Sequence, residues 1–316
     1  MGVIDEGKYY AFCTLITRST LSADIGKTVR LTGQISGKVY TKVLDANQKA
    51  VFQMLENREK YTVEVVSNPG DSETVEFTDT ILMGFGECKE MIVGADKSTF
   101  AGIQQILNLH KETEMLEIGD EISITLKTGN IPMTYQVAAI NHDSKYAHQV
   151  IFTPKWCLPT TRSMNSSNTN VGGWNSAALR TWLNGTFLTD YLPDDVAALI
   201  AERDVICSQG NQSTALQTAV DKIWLPREYE IFGATTYATA TEHTGGGAEQ
   251  FPIFAVAANR IKTTGQGGSA DYWWESSPYA SGATTFCSVG SAGAAGTSGA
   301  SSACGVAPCF HLISES

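Results

Sequence analysis

Charge is missing from the end of this chain. Between Ser276 and Ser314 there is no Asp, Glu, Lys or Arg, whereas segments too polar to fold usually carry charge or proline. Within that span, 21 of the 25 residues from Ala280 to Cys304 are Ala, Ser, Gly or Thr. Alone, such a stretch would read as a flexible tail. It is bracketed by Tyr272-Trp273-Trp274 on one side and Val306-Ala307-Pro308-Cys309-Phe310 on the other. Large apolar residues this dense belong in a core, so the small-residue stretch is expected to be pinned at both ends.

Other absences narrow the function. With 22 Lys and Arg against 33 Asp and Glu, a net charge of -11 and a pI near 4.9, the chain lacks the basic surface that would displace counterions from a phosphate backbone, so no nucleic-acid partner is expected. The acidity lies mainly in the C-terminal part, with 13 acidic and 10 basic side chains before residue 96 and 20 and 12 from residue 96 onward. No uncharged apolar run approaches the roughly 18 residues needed to cross a bilayer, and Met1 to Gly7 shows no basic-then-apolar leader, so neither membrane insertion nor secretion is expected. Seven cysteines, an odd number without repeated short spacing, indicate neither a zinc site nor a disulfide framework, and buried reduced thiols are expected. The five histidines, at 110, 142, 148, 243 and 311, show no ligand spacing. No metal or cofactor is therefore expected.

What is present falls into two parts. From about Gly7 to Gly94, short alternating runs such as Thr28–Thr32, Ala50–Met54 and Tyr61–Val66 predict half-buried strands. Turn chemistry at Asp45–Gln48 and Asn68–Asp71 separates them, giving an all-β, immunoglobulin-like sandwich over 1–95. The second domain is placed at 96–316. There Ser98 is expected to cap a helix carrying Phe100, Ile103 and Leu107, and Thr128-Gly129-Asn130 to join two hairpin strands. Asn175 and Asp194 are expected to cap helices carrying Leu179 and Leu183, and Val196 and Ile200. Pro226 suits the first turn of a third. All six tryptophans fall in this part, and few helices, short strands and long polar connections make it α+β.

An ordered set of landmarks crosses the second domain. Val171-Gly172-Gly173-Trp174-Asn175-Ser176 is followed by Leu179-Arg180-Thr181-Trp182-Leu183-Asn184, then by Trp224-Leu225-Pro226-Arg227-Glu228-Tyr229-Glu230. Tyr272-Trp273-Trp274, Ser277-Pro278-Tyr279, Phe286-Cys287-Ser288-Val289 and Gly305-Val306-Ala307-Pro308-Cys309-Phe310 complete it. This set resembles the variable proteins of diversity-generating retroelements, a C-type lectin fold shared by gut bacteria and their phages and, distantly, by the phage major tropism determinant.

The resemblance implies a ligand-binding face diversified by error-prone copying at template adenines, over about 275–311. Phe286, Val289, Gly293, Gly305, Val306, Pro308 and Phe310 stand where the family's fixed letters stand. The variable, ligand-binding positions it implies are Glu275, Ser276, Ala283, Thr284, Thr285, Ser288, Gly290, Ser291, Ala294, Gly296, Thr297, Ser298, Gly299, Ser302, Cys304, Cys309 and His311. Glu275-Ser276 departs from the Leu-Arg usual before Ser-Pro, and small residues replace the usual Tyr and Asn. The lectin-type calcium triplets Glu-Pro-Asn, Gln-Pro-Asp and Trp-Asn-Asp are absent. Asn165, Asn168 and Asn170 offer side-chain oxygens, for which a capped, turn-rich loop is the expected use.

The expected function is therefore a non-enzymatic, hypervariable receptor-binding protein. The resemblance implies a phage tail tip or fibre, made in the bacterial cytoplasm and carried on the virion. Its implied partners are a host surface protein or glycan and tail structural proteins, with a homotrimer as the implied assembly. The alternatives are a bacterial surface-display binding protein, or an oxidase like the formylglycine-generating enzymes of the same fold, using Cys304 and Cys309.

Overall fold

The computed structural model describes residues 4–5, 8–9, 12–19, 24–67, 74–94 and 96–315. They divide into two compact units, Met1–Asp96 and Lys97–Ser316.

The first unit is built of strands. Cys13–Ser19 is the centre of a three-stranded sheet, antiparallel to Lys49–Leu55 and parallel to Cys88–Val93. A four-stranded antiparallel sheet runs Val39–Val43, Thr28–Gly33, Glu59–Ser67, Thr74–Met83. Strict alternation puts Cys13, Leu15, Val29, Leu31, Tyr61, Val63 and Phe52 into one shared core, because a strand's side chains point to opposite faces in turn. The alternation breaks at Met54, exposed and with φ of 60°, beside a register shift against Cys13–Leu15. At the other turn, Asp45 accepts the N–H groups of Asn47 and Lys49. The turn expected at Asn68–Asp71 lies outside the described residues.

The second unit is mixed α+β. Its main sheet runs Glu121–Leu126, Ile131–Ile140, Gln149–Pro154, Phe310–Ile313, all antiparallel. The first two strands are joined through Gly129 at φ +81°, the left-handed conformation that glycine adopts without penalty. Helix Phe100–Asn108 buries Phe100, Ile103 and Leu107, and the Phe100 ring meets those of Tyr135, Phe152 and Phe310. A second sheet runs Trp273–Pro278, Thr285–Val289, Ala295–Gly299.

Several helix starts differ from expectation. Thr99, not Ser98, caps the first helix, its hydroxyl accepting from the Gly102 N–H. Asn175 lies in a 3-10 turn, Trp174–Ser176, ahead of helix Ala178–Trp182. The N–H of Ala178 is taken by Asn165, 13 residues upstream. Pro193 precedes helix Asp194–Leu199, leaving Asp194 in its first turn. Pro226 precedes the Arg227 cap of helix Glu228–Phe232.

Candidate functional site

The landmarks of the second unit turn out to be its joints. Gly173 holds φ 56° and ψ -150°, and a Cβ there would stand 2.1 Å from the Ser208 carbonyl oxygen. Only glycine fits. Beside it, Trp174 is fully buried and donates its indole N–H to Asp221 at 2.8 Å, which also accepts from Arg180. Glu230 accepts both the Arg227 N–H and its guanidinium, and the guanidinium of Arg203 at 2.7 Å. This pairing holds the Glu230 carboxyl down at about 2 despite full burial. Glu228 turns the other way and accepts the N–H groups of Thr236, Tyr237 and Ala238 at 2.9, 3.0 and 2.7 Å. Gly305 donates to the Tyr272 carbonyl and accepts from Trp274 N–H, locking the end of the small-residue stretch to its beginning.

Between these joints, the stretch forms two strands of the three-stranded sheet. Trp273, Trp274 and Phe286 are fully buried, and Ala295–Gly299 is an edge strand, half-buried along its length. Thr284, Ser291, Ala294 and Ser302 are exposed, and Ala283, Thr285, Gly290, Gly296, Thr297, Ser298 and Gly299 half-buried. These eleven of the expected contact positions lie on or beside one sheet edge. Tyr272, 47% exposed, stands next to it, its ring 3.7 Å from where a Cβ on Gly290 would be. Asn168 stands near the other end, its Oδ1 2.9 Å from a Cβ position on Gly299. Neither flank was among the contact positions expected from the sequence, although Tyr272 adjoins the aromatic pair that anchors the stretch.

The other six expected positions cannot be surface contacts. Glu275, Ser276, Ser288, Cys309 and His311 are 0% exposed and Cys304 4%. The strand Trp273–Pro278 is buried at every residue, so Glu275 and Ser276 face the interior whichever way the pleat turns them. Ser288 lies in a centre strand paired on both sides. His311 is held in the main sheet, where Nδ1 accepts from Gln149 and Nε2 donates to the Glu202 carbonyl. Its burial, with Arg203 nearby, pushes its pKa down to about 4. Cys304 pairs across to Arg162, and Cys309 bridges Trp224. All seven cysteines are unpaired. Burial raises the Cys304 thiol and pushes the Cys309 thiol up to about 12, opposite to what a reactive thiolate needs.

The asparagine loop is structural. Asn165 and the fully buried Asn170 spend their amides and oxygens on backbone groups of Thr169, Ala178, Gly282, Thr285 and Asn211.

A family described as "Domain of unknown function (DUF6273)" matches residues 134–314, which is more than half of the chain. The chain belongs to the DUF6273 family. The matched segment begins within strand Ile131–Ile140 and ends just beyond Phe310–Ile313, so the DUF6273 region contains both the closing strand of the main sheet and the whole three-stranded sheet with its small-residue edge. No curated protein matches the chain. Among solved structures it is similar to the pilus adhesin (RrgA) from Streptococcus pneumoniae, at 9% identity and a TM-score of 0.17 over 67% of this chain and 33% of the adhesin. The chain thus spans about a third of that adhesin's length.

Proposed function

We propose that this chain is a ligand-binding protein of C-type lectin fold, whose binding face is the edge Ala295–Gly299 with Thr284, Ser291, Ala294 and Ser302 around it. The observation that carries this reading is the contrast in burial across one small sheet. Fully buried Trp273, Trp274 and Phe286 stand behind a charge-free edge of Ala, Ser, Gly and Thr. Each buried aromatic contributes a few kcal/mol, whereas exposed substitutions usually move stability by about half a kcal/mol or less. Letters on the edge can therefore change without unfolding the domain, as a diversified surface requires.

The lectin-fold reading is supported by the pairing of Phe310–Ile313 with the early strand Gln149–Pro154, and by the long connections between short elements. In the retroelement reading, the edge is one variant's draw from a mutagenised template, displayed on a phage tail tip or fibre toward a host surface protein or glycan. A trimeric mount would add avidity to a shallow face.

The test is genetic. A reverse-transcriptase gene beside a near-copy of the codons for about Ala283 to Ser302, differing only where the copy holds adenine, is the expected finding. Differences spread over all bases would refute diversification. Burial adds a sharper expectation: sister variants should differ at Thr284, Ser291, Ala294, Thr297 and Ser302 and agree at Glu275, Ser288 and His311.

A further inference from the structure

The interior behind the three-stranded sheet holds more acidic than basic side chains. Arg203 and Arg227 are both engaged by Glu230, while Glu228, Glu242 and Glu275 are also at most 1% exposed. Glu228 is accommodated by three backbone N–H groups. Glu242 accepts from the Ser208 N–H and the Ser277 hydroxyl. Glu275 has nothing comparable: both its carboxylate oxygens are buried without a hydrogen-bond partner. A carboxylate in that position is strongly unfavourable.

What Glu275 does face is a pair of atoms that could ligate a metal. One of its oxygens, an oxygen of Glu228 and the Sγ of Cys287 all lie within 4.8 Å of one another. The three come from separate elements: the first residue of helix Glu228–Phe232 and two neighbouring strands. The pairing of those strands shifts register between Trp274 and Pro278, the kind of irregularity that re-aims a side chain. We propose that Glu228, Glu275 and Cys287 form a buried site for one divalent cation of the zinc class.

The donor set selects the metal. Two carboxylate oxygens with a thiolate suit zinc, whereas magnesium and calcium call for oxygen alone. Three protein donors leave a fourth tetrahedral position for water. On binding, the Cys287 thiol releases its proton to solvent, as does Glu275 where it is protonated. No electron transfer occurs, and the two positive charges of the metal offset the Glu275 carboxylate and the Cys287 thiolate. Spacings of 47 and 12 residues explain why no short ligand motif announces the site.

The experiment uses the full chain, stripped with chelator and titrated with Zn²⁺ or Co²⁺ alone. The expected result is one equivalent bound, a raised melting temperature that Mg²⁺ does not reproduce, and, with Co²⁺, a thiolate-to-metal absorption in the near ultraviolet. Cys287→Ser should abolish that absorption, and Glu275→Gln should weaken binding about ten-fold or more. Absence of stoichiometric binding by the stripped wild-type chain would overturn the proposal, as would a cobalt band that survives Cys287→Ser. The wild-type titration decides the matter even if neither variant folds.

Discussion

Asn170 donates its side-chain amide to the Thr285 carbonyl at 2.7 Å and to the Gly282 carbonyl at 2.8 Å, while its backbone N–H meets Ala283. A fully buried residue 115 positions away thus fixes the loop that leads into strand Thr285–Val289. Replacing it by alanine removes the side-chain partner of the Gly282 carbonyl and of the Asn211 N–H and leaves the Thr285 carbonyl only the N–H of Tyr279, each lost hydrogen bond being worth about 0.5–1.5 kcal/mol. Asn170→Ala is expected to lower the unfolding midpoint and to speed amide hydrogen exchange from Ala280 to Thr285 more than elsewhere in the domain. Uniform exchange changes would count against a local role.

The frame and the edge should respond differently to truncation. Trp274 is fully buried and donates its indole N–H to the Arg162 carbonyl, so Trp274→Ala should cost about 3–5 kcal/mol. Thr297→Ala, on the edge strand, should stay within about 0.5 kcal/mol. Urea unfolding of both variants checks this. Equal losses would mean that the edge is part of the core.

Gly173→Ala should be among the most damaging small substitutions in the chain. The added methyl would meet the Ser208 carbonyl at 2.1 Å in a backbone conformation reserved for glycine. A loss of about 2 kcal/mol or more is expected, seen as a lowered thermal midpoint.

Acid sensitivity pits two buried groups against each other. His311 falls from 6.5 to about 4 on folding. The unfolded chain therefore binds the extra proton between those values, and the stability His311 contributes is lost as pH drops from 6.5 toward 4. Glu242 rises from 4.5 to about 7, chiefly through burial. The folded chain binds the extra proton there, and that contribution is lost as pH rises from 4.5 through 7. Each is worth about 3 kcal/mol at full extent. Urea midpoints at pH 5 and pH 7 should show Glu242→Gln with a steeper loss toward acid than wild type, and His311→Gln with a shallower or reversed one. Parallel pH responses in all three proteins would contradict both assignments.

Local signals in the sequence were readable where the physics is local. Alternation placed Thr28–Gly33 and Glu59–Ser67, and the Gly129 hairpin and the Phe100, Ile103, Leu107 face followed from turn and helix periodicity. Caps were less visible, because the group that satisfies Ala178 is Asn165, brought in by the fold rather than by spacing. The candidate face was legible only as a region. Composition shows that Ala280–Cys304 is small and uncharged, but not that Ser288 lies between two strands or that Glu275 lies in a strand covered on both sides. Those depend on pairing across the sheet, as does the approach of Glu275 to Glu228 and Cys287.

The pairing of Phe310–Ile313 with Gln149–Pro154 sets the timing of folding during synthesis. The main sheet stays one strand short, with the rings of Phe100, Tyr135 and Phe152 lacking their Phe310 neighbour, until about residue 313 has left the ribosome. Strands made more than 150 residues earlier must wait with an open edge, an arrangement of distant pairing that slows folding.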